Sequence, residues 1–111
     1  MKMIVLVLQK VEAMNPILER LERRGVRGAT ILDCKGAAYA LENYMAGSFL
    51  GSLRAVLEPA RESNQMMFTV VEDDQADIVF ETIQEFVDLG KPYQGVAFSL
   101  PVDRALGLHK Q

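Results

Sequence analysis

The sequence predicts an α+β fold in the element order βαββαβ, and three observations predict it. Four short apolar runs, rich in β-branched residues, lie at 3–8, 28–34, 65–71 and 96–100. Two segments of helical period separate the first pair and the last pair. Glycine marks the ends of both helical segments, at Gly25 and Gly90. This order is the signature of a ferredoxin-like two-layer sandwich, an antiparallel four-stranded sheet with both helices on one face. The 111 residues fit a single domain spanning 1–111.

The first strand, Met3 to Leu8, is six consecutive apolar residues, a pattern expected of a strand buried on both faces. Met14, Ile17, Leu18 and Leu21 then fall at i, i+3, i+4 and i+7. Asn15-Pro16 supplies a cap and a first-turn proline, with a start as early as Glu12 as the alternative. Gly28 to Cys34 reads as the second strand and Gln65 to Val71 as the third. Asp73 or Asp74 is expected to cap the second helix, where carboxylates also suit the helix dipole. That helix places Ala76, Val79, Phe80, Ile83, Phe86 and Val87 on one face. A turn, Lys91-Pro92-Tyr93-Gln94-Gly95, leads into a fourth strand from Val96 to Leu100. Two helices cover only one face of such a sheet. Strands one and three, apolar on both faces, therefore require a second cover, and self-association is the economical one.

Composition excludes several classes. Half the residues are apolar and 24% are charged, which rules out disorder. No run approaches the roughly 18 apolar residues of a membrane span. The short apolar start lacks a cleavage site, so a cytoplasmic protein is expected. Residues 1–61 carry nine Lys/Arg against six Asp/Glu, and residues 62–111 carry three against nine. With a net charge of −3 and no basic stripe, nucleic acid is not an expected partner. Arg20, Arg23, Arg24 and Arg27 interleave with Glu19 and Glu22 as a solvated helix face. The single Cys34 and single His109 form no metal-ligand cluster, and no metal site is expected. No nucleophile lies beside a base, and no carboxylate pair falls outside caps and helix faces. No catalytic residue is assigned, and the chain is not expected to be an enzyme.

The connection between strands two and three is long, from Ala37 to Ser63. Ala37, Ala38, Leu41, Tyr44 and Met45 share one helical face, and Phe49, Leu50, Leu53, Val56 and Leu57 share another after Gly47. Two short amphipathic helices are expected in this insertion. Its apolar stripe either packs on its own domain or docks on a partner protein, with Tyr44, Phe49, Leu50 and Leu53 as contacts. Arg54 and Arg61 against Glu42, Glu58 and Glu62 give no basic enrichment for membrane binding.

Several strings, in order, resemble the nitrogen regulatory PII signal-transduction proteins. These are the opening Met1-Lys2-Met3-Ile4-Val5, then Gly25 to Thr30 with Asp33-Cys34-Lys35-Gly36, then Phe68 to Asp74, and finally Phe98 to Ala105. The resemblance implies a homotrimer with its sheets facing inward, and an adenine nucleotide as candidate effector in the clefts between subunits. It also implies that 37–63 is the T-loop through which a transporter or enzyme partner is controlled. By the same resemblance, Thr30, Lys35, Gly36 and Gly95 fall near the effector cleft. Lys91 joins them as an anion contact read from the turn itself.

The departures from the family pattern are specific. The T-loop equivalent is apolar, and Tyr39 and Tyr44 match no modification motif. The family's lysine after the last loop glycine aligns with Val96, and its two C-terminal arginines fall at Gly107 and His109. Losing three cations should weaken triphosphate binding, which leaves room for a smaller or less charged ligand such as a mononucleotide. Two alternatives remain open at this point: a ligand-independent trimeric scaffold, and a CutA-like metal-tolerance protein, which Lys91-Pro92-Tyr93 and Leu100-Pro101-Val102 faintly resemble.

Overall fold

A computed structural model describes residues 1–36 and 64–108. The insertion 37–63, with Tyr44, Phe49, Leu50 and Leu53, lies outside the described residues, as does His109. The chain runs β1 (Lys2–Leu8), a 3-10 turn (Val11–Ala13), α1 (Met14–Arg23), β2 (Thr30–Cys34), β3 (Asn64–Val71), α2 (Asp73–Phe86) and β4 (Gly95–Pro101). The strands form one sheet in the order β2-β3-β1-β4, and every pairing is antiparallel. The expected ferredoxin-like sandwich is therefore the observed one.

Strand register sorts the side chains into two faces, because directly opposed residues point the same way. Ile4, Leu6, Leu8, Met67 and Val71 join Met14, Ile17, Leu21, Val79 and Ile83 in one buried core under the helices. The alternate residues form rows on the other face. Phe68, Val5 and Phe98 make one row, Val70, Met3 and Leu100 a second, and Leu32, Met66, Val7 and Val96 a third. Val5 is nearly buried between its two phenylalanine neighbours, while Val96 at 52% and Phe98 at 44% stand open to solvent. Among the described residues, the doubly apolar strands thus have a side covered by the two helices and a side that they leave open.

α1 ends in a Schellman motif. The Val26 N–H donates to the Leu21 carbonyl and the Gly25 N–H to that of Glu22, with Gly25 at φ 87°. Val26 and Leu21, both buried, supply the hydrophobic contact that accompanies it. The helix starts differ from expectation. Asn15 lies inside α1, whose N-cap is Ala13, because the preceding 3-10 turn carries the chain into the helix. Asp73 and Asp74 occupy the first turn of α2, and its N-cap is Glu72 with no side-chain cap hydrogen bond. The two aspartates suit the helix dipole without capping it. Asp73 Oδ1 instead lies 3.1 Å from the Met1 ammonium.

The helices are joined by a polar clasp. Thr82, fully buried, accepts from Arg24 Nη1 at 2.7 Å and donates to the Ile78 carbonyl at 2.7 Å. Arg24 also pairs with Glu85, which Arg20 approaches to 3.6 Å.

Candidate functional site

The expected ligand residues divide between the two outer strands of the sheet. Thr30 lies on β2 opposite Phe68, exposed, and therefore on the uncovered face. Lys35 and Gly36 follow the last residue of β2; Lys35 is exposed, and a Cβ on Gly36 would lie 3.7 Å from Asn64 Nδ2. Gly95 opens β4, and Lys91 lies in the turn before it, 72% exposed and 3.8 Å from Asp88 Oδ2. Strands β2 and β4 are opposite edges of the sheet. Three strand spacings, roughly 14 Å, separate them.

Lys35 and Gly36 on one edge and Lys91 and Gly95 on the other nevertheless sit at one end of the sheet, whereas Thr30 lies three rows away, in the row of Phe68, Val5 and Phe98. Asp33 pairs with Gln65, Gln65 with Leu8, and Leu8 with Gly95, which forms a single row across all four strands. One chain presents two half-sites, one at each edge, and brings neither to the other. Sequence reasoning could not see this division, because strand order is a long-range property.

The half-site at β4 is built on a braced turn. The Gln94 carbonyl accepts from the Gln9 N–H at 3.0 Å and the Lys10 N–H at 3.2 Å, and the Lys91 N–H donates to the Asp88 carbonyl. Gly95, at φ 149°, passes so close to β1 that an added Cβ would lie 2.5 Å from the Val7 carbonyl oxygen. Only glycine fits there. Its requirement is set by packing, whatever it also does for a ligand.

Tyr93 is the one non-glycine residue with positive φ among the described residues, at 64°. That conformation costs an ordinary side chain roughly 1 kcal/mol. Pro92 and Tyr93 are the central residues of a hydrogen-bonded turn that closes from Lys91 to Gln94, and the Tyr93 N–H donates to no carbonyl among the described residues. That N–H and the Lys91 ammonium are donors suited to an anion. A left-handed tyrosine with a free N–H is a signal absent from the sequence pattern, since tyrosine is not a residue from which positive φ is expected.

A separate shallow groove of about 250 Å³ lies between α1 and β2, lined by Leu18, Leu21, Val26 and Ile31 with Glu22 and Arg27 at its rim. None of the expected ligand residues lines it. No group of three or more His, Cys, Asp or Glu among the described residues is placed to hold a metal ion. Among these residues no helix is long and apolar enough to cross a membrane. Cys34 is a free thiol, half-buried at the end of β2.

The described residues form a two-layer sandwich whose two helices leave one apolar sheet face open, with the expected ligand residues divided between the two sheet edges. The family model of nitrogen regulatory protein P-II matches residues 1–111, and the chain belongs to that family. No individual curated protein is significantly similar to it. The family is one of signalling regulators rather than enzymes.

Proposed function

We propose that this chain is a P-II-type regulator that acts as a homotrimer in the cytoplasm. In this reading the sheets meet around a shared centre through Met3, Val5, Phe68 and Phe98. Each cleft joins the β2 edge of one subunit to the β4 edge of the next. A small effector, an adenine nucleotide, binds there between Thr30, Lys35 and Gly36 on one side and Lys91 and Gly95 on the other. A protein partner, a transporter or an enzyme, is controlled through 37–63, with Tyr44, Phe49, Leu50 and Leu53 as its contacts.

The observation that carries this reading is the placement of Lys35 and Gly36, and of Lys91 and Gly95, at one end of the sheet but on opposite edges. A ligand contacting both needs two subunits, and the uncovered apolar face supplies a reason for subunits to meet. Membership in the P-II family supports it further and favours it over the metal-tolerance alternative. A mononucleotide is expected to bind at least as well as ATP, because Val96, Gly107 and His109 offer no cation to extra phosphates.

Thermal-shift measurements with AMP, ADP, ATP and cyclic AMP test the effector, since a ligand that binds only the native state raises the melting temperature. The expected result is a rise with AMP or ADP at millimolar concentration. If all four leave the melting temperature unchanged, the effector part is wrong and the ligand-independent scaffold takes its place.

A further inference from the structure

We propose that the Tyr93 ring is the platform on which the flat base of the bound nucleotide stacks, an assignment that rests on the effector reading above and adds a specificity residue to it. Three observations carry it. Tyr93 holds a backbone conformation that glycine or asparagine would hold with less strain. The residue is 83% exposed, so it gains little burial among the described residues in return. The backbone beneath it is fixed from both sides, by Gln9 and Lys10 on the Gln94 carbonyl and by the close approach of Gly95 to Val7.

A ring presented from a braced turn loses little conformational freedom on contact, which favours its use in recognition. Its immediate neighbours define the ligand's other end. The Tyr93 N–H and the Lys91 ammonium offer donors to an anion. An aromatic face beside an anion-binding set suits a molecule that is flat at one end and carries phosphate at the other. Stacking on tyrosine reads the π-face and not the base edge, so the site should accept guanine about as readily as adenine through this contact.

Calorimetric titration of the full-length protein tests the assignment, with AMP and with ribose 5-phosphate, which keeps the phosphate and lacks the base. The variants are Tyr93→Gly, Tyr93→Asn and Tyr93→Phe; glycine and asparagine both suit the turn's positive φ. Relative to the wild type, Tyr93→Gly and Tyr93→Asn should each weaken AMP about tenfold while melting at the same or a higher temperature. Tyr93→Phe should stay within about twofold of wild type, since it retains the stacking face. Ribose 5-phosphate should bind wild type and Tyr93→Gly alike. Equal AMP affinity in wild type, Tyr93→Gly and Tyr93→Asn would overturn the stacking role and leave the effector reading standing. Failure of wild type to bind AMP, ADP or ATP would overturn both.

Discussion

Gly95 and Thr69 show how single positions carry constraints of opposite sign. Gly95 faces the backbone of β1, and neither Val7 nor the glycine can retreat without breaking the β1–β4 ladder. Gly95→Ala should therefore destabilise the fold by about 2–3 kcal/mol in chemical denaturation. Thr69 is the reverse case. It lies on the helix-facing side of β3, 1% exposed, and its hydroxyl has no hydrogen-bond partner. Replacing that hydroxyl with a methyl group of similar size removes a desolvated polar atom. Thr69→Val should raise stability by about 1 kcal/mol, and a lower unfolding midpoint in urea would contradict this account of the site.

At the scale of elements, the two helices are held to the sheet by apolar packing and to each other by a charged clasp. Glu85 receives Arg20 from α1 and Arg24 from its C-cap, with all three side chains partly exposed. Solvent screens such groups, so Glu85→Ala should cost only about 1 kcal/mol. The difference between wild type and variant should shrink when urea unfolding is repeated in 1 M salt, where the Debye length falls to about 3 Å. A difference that salt does not alter would assign the loss to packing. The helix ends teach a separate lesson. The Schellman motif was readable at Gly25, because glycine after a basic last turn is a local signal. Asn15 and Asp73 were misread as caps because each cap shifted by a residue or two. A 3-10 turn moved the first to Ala13, and Glu72 took the second.

At the scale of the whole molecule, the governing feature is the apolar sheet face that neither described helix covers. Phe98 stands at its centre row, 44% exposed and outside the monomer core. Phe98→Glu should leave each chain folded, by circular dichroism, while sedimentation velocity shows the assembly fall apart to single 12.4 kDa chains. A wild type that sediments as one chain at micromolar concentration would remove the trimer and the clefts together. The division of the half-sites gives a second test at this scale. Lys35→Ala spoils the β2 half and Lys91→Ala spoils the β4 half. Refolding the two variants together should regenerate some intact clefts and recover nucleotide binding that neither variant shows alone. No recovery in verified mixed trimers would mean that the two lysines do not share a cleft.

Sequence by itself determined the kinds of element, their order and the apolar strand faces, because periods of two and 3.6 record burial residue by residue. Met3 to Leu8 announced a doubly apolar strand, and Ala76, Val79 and Ile83 announced the core side of α2. Tertiary structure alone decided which strands became edges, and so set Thr30 and Lys35 across the sheet from Lys91. It also decided that Gly95 touches Val7 and that Tyr93 takes a left-handed turn. These properties come from pairings between residues far apart in the chain, which no local pattern encodes.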